Sequence, residues 1–104
     1  MPGRHSRDKG RRYENEVVGW LTAHGFPAAR ISEMYKPGPD IIALDDRYIE
    51  ARRKASNYQS LAAIEKELEG DADLYFTRLD HRPGDHLVVL WATTLLDLID
   101  ERQP

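Results

Sequence analysis

Cysteine is missing from all 104 residues, and that absence removes disulfides, thiolate metal sites and thiol nucleophiles from consideration. It also fits a reducing compartment. No window approaches the apolar length needed to cross a bilayer, so a membrane role is not expected. The opening stretch lacks an apolar signal segment, and the expected location is the cytoplasm. Internal repeats, low-complexity tracts and interdomain linkers are also lacking, and a chain of this length has room for one core and no separate binding module. Residues that perform chemistry must therefore belong to the fold as well.

What is present is a composition of 40% hydrophobic and 32% charged residues, which suits a soluble globular domain. Charge is unevenly spread. Residues 1–12 hold Arg4, Arg7, Lys9, Arg11 and Arg12 against Asp8, a local balance of +4 that leaves −7 for the rest of a chain whose net charge is −3. Such asymmetry lets a basic arm, residues 1–8, meet phosphates while the remaining domain, 9–104, stays acidic. A solvated basic tail would have the same composition.

Turn signals divide the domain into short elements. A helix is predicted over 9–24, where Tyr13, Val17, Trp20 and Leu21 recur at helical spacing before Gly25. A strand at 28–31 follows, then the Lys36-Pro37-Gly38-Pro39 punctuation and two strands, 40–44 and 48–53. Leu61, Ile64 and Leu68 mark a second helix with Ser60 as cap and Gly70 as stop. Strands at 74–78 and 87–90 form a hairpin across Pro83-Gly84, and Thr93 or Thr94 caps a last helix carrying Leu95, Leu98 and Ile99. The order α-β-β-β-α-β-β-α implies an α/β domain with a central mixed sheet flanked by helices.

Chemistry concentrates at the middle hairpin. Asp40 follows a proline, and Glu50 stands inside the otherwise apolar strand that begins Tyr48-Ile49, where an unpaired carboxylate is expensive. Two carboxylates converging from neighbouring strands offer hard oxygen ligands to Mg²⁺, the carbonyl of Ala51 can add a third, and Glu14 on the first helix can reach the same cluster. A metal so held polarises a phosphate and lowers the pKa of an attacking water. The bland alternative is a strand-starting aspartate and a structural ion pair of Glu50 with Arg52 or Arg53.

These residues fall in an order that resembles the PD-(D/E)xK nuclease superfamily, and within it the archaeal-type Holliday junction resolvases and their small phage and bacterial relatives. The matches are Lys9-Gly10 and Glu14, then Arg30 and Ser32, then Pro39-Asp40-Ile41-Ile42-Ala43, then Ile49-Glu50, with the resemblance running from about Lys9 to Ile99. It implies a restriction-endonuclease-like fold, Mg²⁺-dependent cutting of DNA with Mn²⁺ able to substitute, 5′-phosphate and 3′-hydroxyl ends, a four-way junction as substrate, and a homodimer. Symmetric nicking of a junction needs two sites about a two-fold axis. It also implies a phosphate or metal-shell contact for Ser32.

One departure stands out. The family pattern has lysine two residues after the glutamate, and this chain has Arg52. Arginine offsets phosphate charge but is always protonated and hardly deprotonates water. Lys54 shares the strand face of Glu50 and Arg52 and can substitute. Either Arg52 and Lys54 sustain catalysis together, or the domain binds DNA and cuts poorly; a protein-interaction module is the third possibility. For DNA contact the candidates are Arg4, Arg7, Lys9, Arg11, Arg30, Ser32, Tyr35, Lys36 and Arg53. Tyr58 and Gln59 touch a phosphate or cap the next helix, Tyr13, Trp20 and Phe26 belong to the core, and His81 and His86 are polar residues of a hairpin tip.

Hairpin geometry is a check on the site. A two-residue loop at Asp45-Asp46 sends Asp40 and Glu50 to opposite faces. A three-residue loop, Asp45-Asp46-Arg47, pairs Leu44 with Tyr48, Ile42 with Glu50 and Asp40 with Arg52, and places both carboxylates on one face. The odd-length loop is the expectation, with one residue near the left-handed region.

Overall fold

The computed structural model describes residues 2–31, 40–53, 59–70 and 72–102, with the side chains of 2–10 outside that description. Its elements are α1 (Pro2–Ala23), β1 (Ala28–Arg30), β2 (Ile41–Ala43), β3 (Arg47–Ala51), α2 (Leu61–Leu68), β4 (Leu74–Thr77), β5 (Leu87–Val89) and α3 (Ala92–Arg102). This is the predicted order of elements. The five strands form one mixed sheet in the order β1-β2-β3-β4-β5, antiparallel throughout except for the parallel β3–β4 pair that α2 connects.

α1 begins seven residues before its predicted start, so the basic segment forms the helix's first turns and is not a separate arm. Proline is tolerated at a helix start, and Gly3 and Gly10 each cost only about 1 kcal/mol. Its far end closes by two bonds, Gly25 N to Thr22 O at 3.0 Å and Phe26 N to Leu21 O at 2.9 Å. That closure needs a left-handed residue, and Gly25 supplies it with φ 89°. Tyr13, Val17 and Leu21, four residues apart, are buried against one face of the sheet with Ile41, Ala43, Ile49, Ala51, Leu74 and Phe76. On the other face α2 sets Ile64 and Leu68 against Tyr75.

Ser60 caps α2 as predicted, its Oγ accepting from Ala63 N at 3.1 Å. Leu61 departs from expectation. It occupies the first helical position, short of the sheet, and is 78% exposed. α3 also starts earlier than predicted, with Leu95 N donating to Trp91 O, so Thr93 and Thr94 lie inside the first turn and neither is the cap. No residue of α3 is buried. It is fastened near its end by a two-pronged Arg47–Glu101 pair, both contacts 2.8 Å, and by Arg102 over the ring of Phe26.

The β2–β3 hairpin has a three-residue loop, as the placement of the carboxylates requires, but it is Leu44-Asp45-Asp46. Ala43 pairs with Arg47, Ile42 with Tyr48 and Ile41 with Ile49, a slip of two from the predicted partners. A slip of two preserves every face. The observed register sets the fully buried Ile41 and Ile49 side by side and frees Arg47 to bond Leu44 O at 3.0 Å and Glu101 on α3. It costs more backbone strain than expected, because Leu44, Asp45 and Asp46 all adopt positive φ, at 55°, 63° and 66°.

Candidate active site

Asp40 enters β2 at the junction of three strands. Its N–H donates to Ile49 O at 3.0 Å, its carbonyl accepts from Ile31 N at 2.9 Å, and its Oδ2 accepts from Ala51 N at 3.0 Å. Backbone bonds thus fix the residue in place, and the Ala51 N–H holds one oxygen of its side chain. One step back from the Ile41–Ile49 pair brings Asp40 beside Glu50, and the two carboxyl groups are within hydrogen-bonding reach. Glu14, descending from α1, reaches Asp40 from the other side. Asp40 therefore links the two glutamates predicted to work with it.

Electrostatics of the cluster are unfavourable in the way functional carboxylates often are. Burial, then repulsion from Asp40, pushes Glu50 up from 4.5 to about 7, and Arg52 eases this only in part. Glu14 is also raised, again first by burial and then by Asp40, with Arg30 pulling the other way. Two arginines restrain the cluster: Arg30 Nε lies 3.0 Å from Glu14 Oε2, and Arg52 Nη2 lies 2.9 Å from Glu50 Oε1. Glu67 on α2 stands 3.7 Å from the same Arg52 nitrogen. Beside them the Tyr75 hydroxyl donates to Gln59 Oε1, and Gln59 Nε2 donates to Thr77 Oγ1 at 2.9 Å.

Among the described residues, no three His, Asp or Glu side chains stand in a group that could hold a metal ion. The donor chemistry suits a hard divalent cation all the same. All the acids are oxygen donors, and among the described residues Glu14, Asp40, Glu50 and Glu67 are met by two cations, Arg30 and Arg52, which leaves an excess of two negative charges within that set when all four are ionised. Ala51 enters through its N–H, the donor to Asp40.

Several predicted contacts are engaged within the protein. Arg30 holds Glu14 and comes within 3.5 Å of Asn15 Oδ1. Arg53, only 15% exposed, ties β3 to the β4–β5 connection through Arg78 O at 2.6 Å and Asp80 Oδ1 at 2.7 Å. Arg11 is exposed on α1. Ser32, Tyr35, Lys36, Lys54 and Tyr58 lie outside the described residues, as do the side chains of Arg4, Arg7 and Lys9. His86 is not a polar residue of the hairpin tip: its side chain is 1% exposed, Nδ1 is 3.0 Å from the Tyr13 hydroxyl, and Trp20 meets its ring edge-on. Burial lowers its pKa.

Sequence reasoning also missed Glu67 and Tyr75. Glu67 lies three residues after Ile64, at the flank of the apolar stripe of α2, and that spacing is the signal that puts it next to the sheet. Tyr75 carried no such signal. No family model matches the chain, and no curated protein or solved structure matches it.

Proposed function

We propose that this chain is a Mg²⁺-dependent DNA endonuclease domain selective for branched DNA, with a mechanism similar to that of the Holliday junction resolvases its sequence resembles. The observation that carries the proposal is Asp40 joined to Glu14 and to Glu50, in a cluster where burial first, and then repulsion from Asp40, raises both glutamates. The order of elements and the mixed sheet agree with that resemblance. Asp40, Glu50 and Glu14 are the residues that would hold Mg²⁺, and the ion would supply phosphate polarisation and an activated water. Asp40 keeps its carboxylate oriented through the Ala51 N–H, and Arg52 offsets charge developing on the phosphate. Backbone positions 4, 7, 11 and 14 recur at helical spacing on α1, and the proposal takes the DNA backbone along the positions of Arg4, Arg7 and Arg11 toward Glu14.

The homodimer that junction cutting calls for has a candidate surface. Trp91, Leu95, Leu96 and Ile99 of the α3 region and Leu87 and Val88 of the edge strand β5 are all between 39% and 62% exposed. Leu96→Arg is expected to convert a dimer into a monomer in sedimentation; a wild-type monomer removes this element of the proposal.

Arg52 paired to Glu50 favours one second reading, a DNA-binding domain of the same fold that cuts poorly. The deciding experiment incubates purified protein with a labelled four-way junction and with matched duplex, in Mg²⁺ and in chelator. Metal-dependent junction nicking is expected. Junction binding with no cutting selects the weakened reading, and binding to neither DNA removes both.

A further inference from the structure

Arg52 is held between carboxylates from two different elements, Glu50 on β3 at 2.9 Å and Glu67 on α2 at 3.7 Å, both measured from Nη2. The three side chains differ in their freedom. Glu50 is 7% exposed and enclosed by the sheet, whereas the arginine side chain is 49% exposed and Glu67 32%. The guanidinium can thus swing about its own bonds while Glu50 stays in place. α2 presents Glu67 from a fixed base, because Ile64 and Leu68 anchor the helix on Tyr75 and Ser60 caps its start. Tyr75 gives its hydroxyl proton to Gln59 and so does not compete for Glu67. A guanidinium carries nitrogens on two ends and can bridge two carboxylates, which a single ammonium does poorly.

We infer that Glu67 is a positioning residue that takes the Arg52 guanidinium over from Glu50 when a divalent cation binds Glu50. This rests on the metal-dependent reading above. A guanidinium and a divalent cation on one buried carboxylate repel strongly. If Arg52 were driven into solvent, its charge would be lost to the phosphate. With Glu67 as a second partner, Arg52 leaves Glu50 by side-chain motion alone and remains beside the site. Arginine in place of lysine then has a structural use, as a cation that exchanges between two acids.

The test measures binding of Mn²⁺ alone, without DNA, from the electron paramagnetic resonance signal of the free ion, in wild type, Arg52→Met, Glu67→Gln and the double variant, with Arg52→Gln as a second neutral replacement. Removing Arg52 is expected to tighten Mn²⁺ binding by about threefold to tenfold. Glu67→Gln is expected to weaken it by about the same factor when Arg52 is present and to leave it unchanged when Arg52 is absent, a coupling that the double variant isolates. Equal weakening in both backgrounds makes Glu67 a remote negative charge and overturns the inference while the metal site stands. So does unchanged or weaker binding in both Arg52 variants. Absence of Mn²⁺ binding in wild type and every variant removes the metal reading, and the inference with it.

Discussion

On the α1 side of β3, Ile49 and Ala51 pack against Tyr13 and Val17 and make no demands beyond shape, whereas on the α2 side Glu50, nearly as buried, faces Asp40 and needs Arg52 to remain there. Neighbouring residues of one strand thus serve opposite ends. The first face lowers the free energy of the fold by removing apolar area from water. The carboxylates on the second face raise it, because two of them are held together in a partly dehydrated place beside the apolar contact of α2 with Tyr75. A fold tolerates such a cost when the site is used, and the surplus of the dry face offsets it.

The strongest way to break that contrast is to damage the dry face. Ile49→Ala leaves a cavity between α1 and the sheet and is expected to cost about 2–5 kcal/mol, read from the midpoint of urea unfolding. A loss under about 0.5 kcal/mol, the range of an ordinary surface substitution, would mean the core is elsewhere. Next in size is Asp40→Asn, which keeps shape and removes the shared anionic oxygen. Junction cutting should fall by about a hundredfold or more while junction affinity holds. Equal rates in Asp40→Asn and wild type would deny the cluster its role.

Glu50→Gln sharpens the comparison most directly, since it should stabilise the metal-free protein while abolishing cutting. The sign follows from linkage. Folding raises the Glu50 pKa from 4.5 to about 7, so the folded chain holds that proton more tightly than the unfolded chain. Its contribution to stability is full below about pH 4.5 and is lost as pH rises through about 7. The advantage of Glu50→Gln over wild type should therefore be small near pH 5 and grow to on the order of 1–3 kcal/mol by pH 8. Were Glu50 only the partner in a structural ion pair, the substitution would destabilise the protein at pH 8 instead.

The smallest effect concerns the start of α1. Neutralising Arg4, Arg7 and Lys9 should weaken junction binding and flatten its dependence on salt, by up to about 0.9 in logarithmic slope for each DNA phosphate that is no longer neutralised. An unchanged slope would assign these residues to solvent and leave the acidic cluster untouched.

Much of this architecture was legible in local pattern. The spacing of Tyr13, Val17 and Leu21, the stop at Gly25, the Ser60 cap and the Pro83-Gly84 turn each report on neighbours within a few residues, and each is found where expected. The parity of the β2–β3 loop was legible too, because Asp40 and Glu50 must share a face. Its register was not. A shift of two leaves the inside-outside pattern unchanged, so only the pairing of Ile41 with Ile49 and the reach of Arg47 to Glu101 separate the two alternatives. The burial of His86 was illegible for a similar reason, since its partner Tyr13 is 73 residues away.

The sequence by itself therefore determined the kinds of elements, their order, and which acids had to meet if any chemistry was to occur, because these depend on short-range periodicity and on the cost of burying charge. Tertiary structure alone decided which cation faces which acid. The pairing of Arg30 with Glu14, and the bracketing of Arg52 by Glu50 and Glu67, come from side chains brought together from α1, β1, β3 and α2 by the sheet. Coulomb attraction depends on distance in space, and residue spacing along the chain does not fix that distance until the strands are paired.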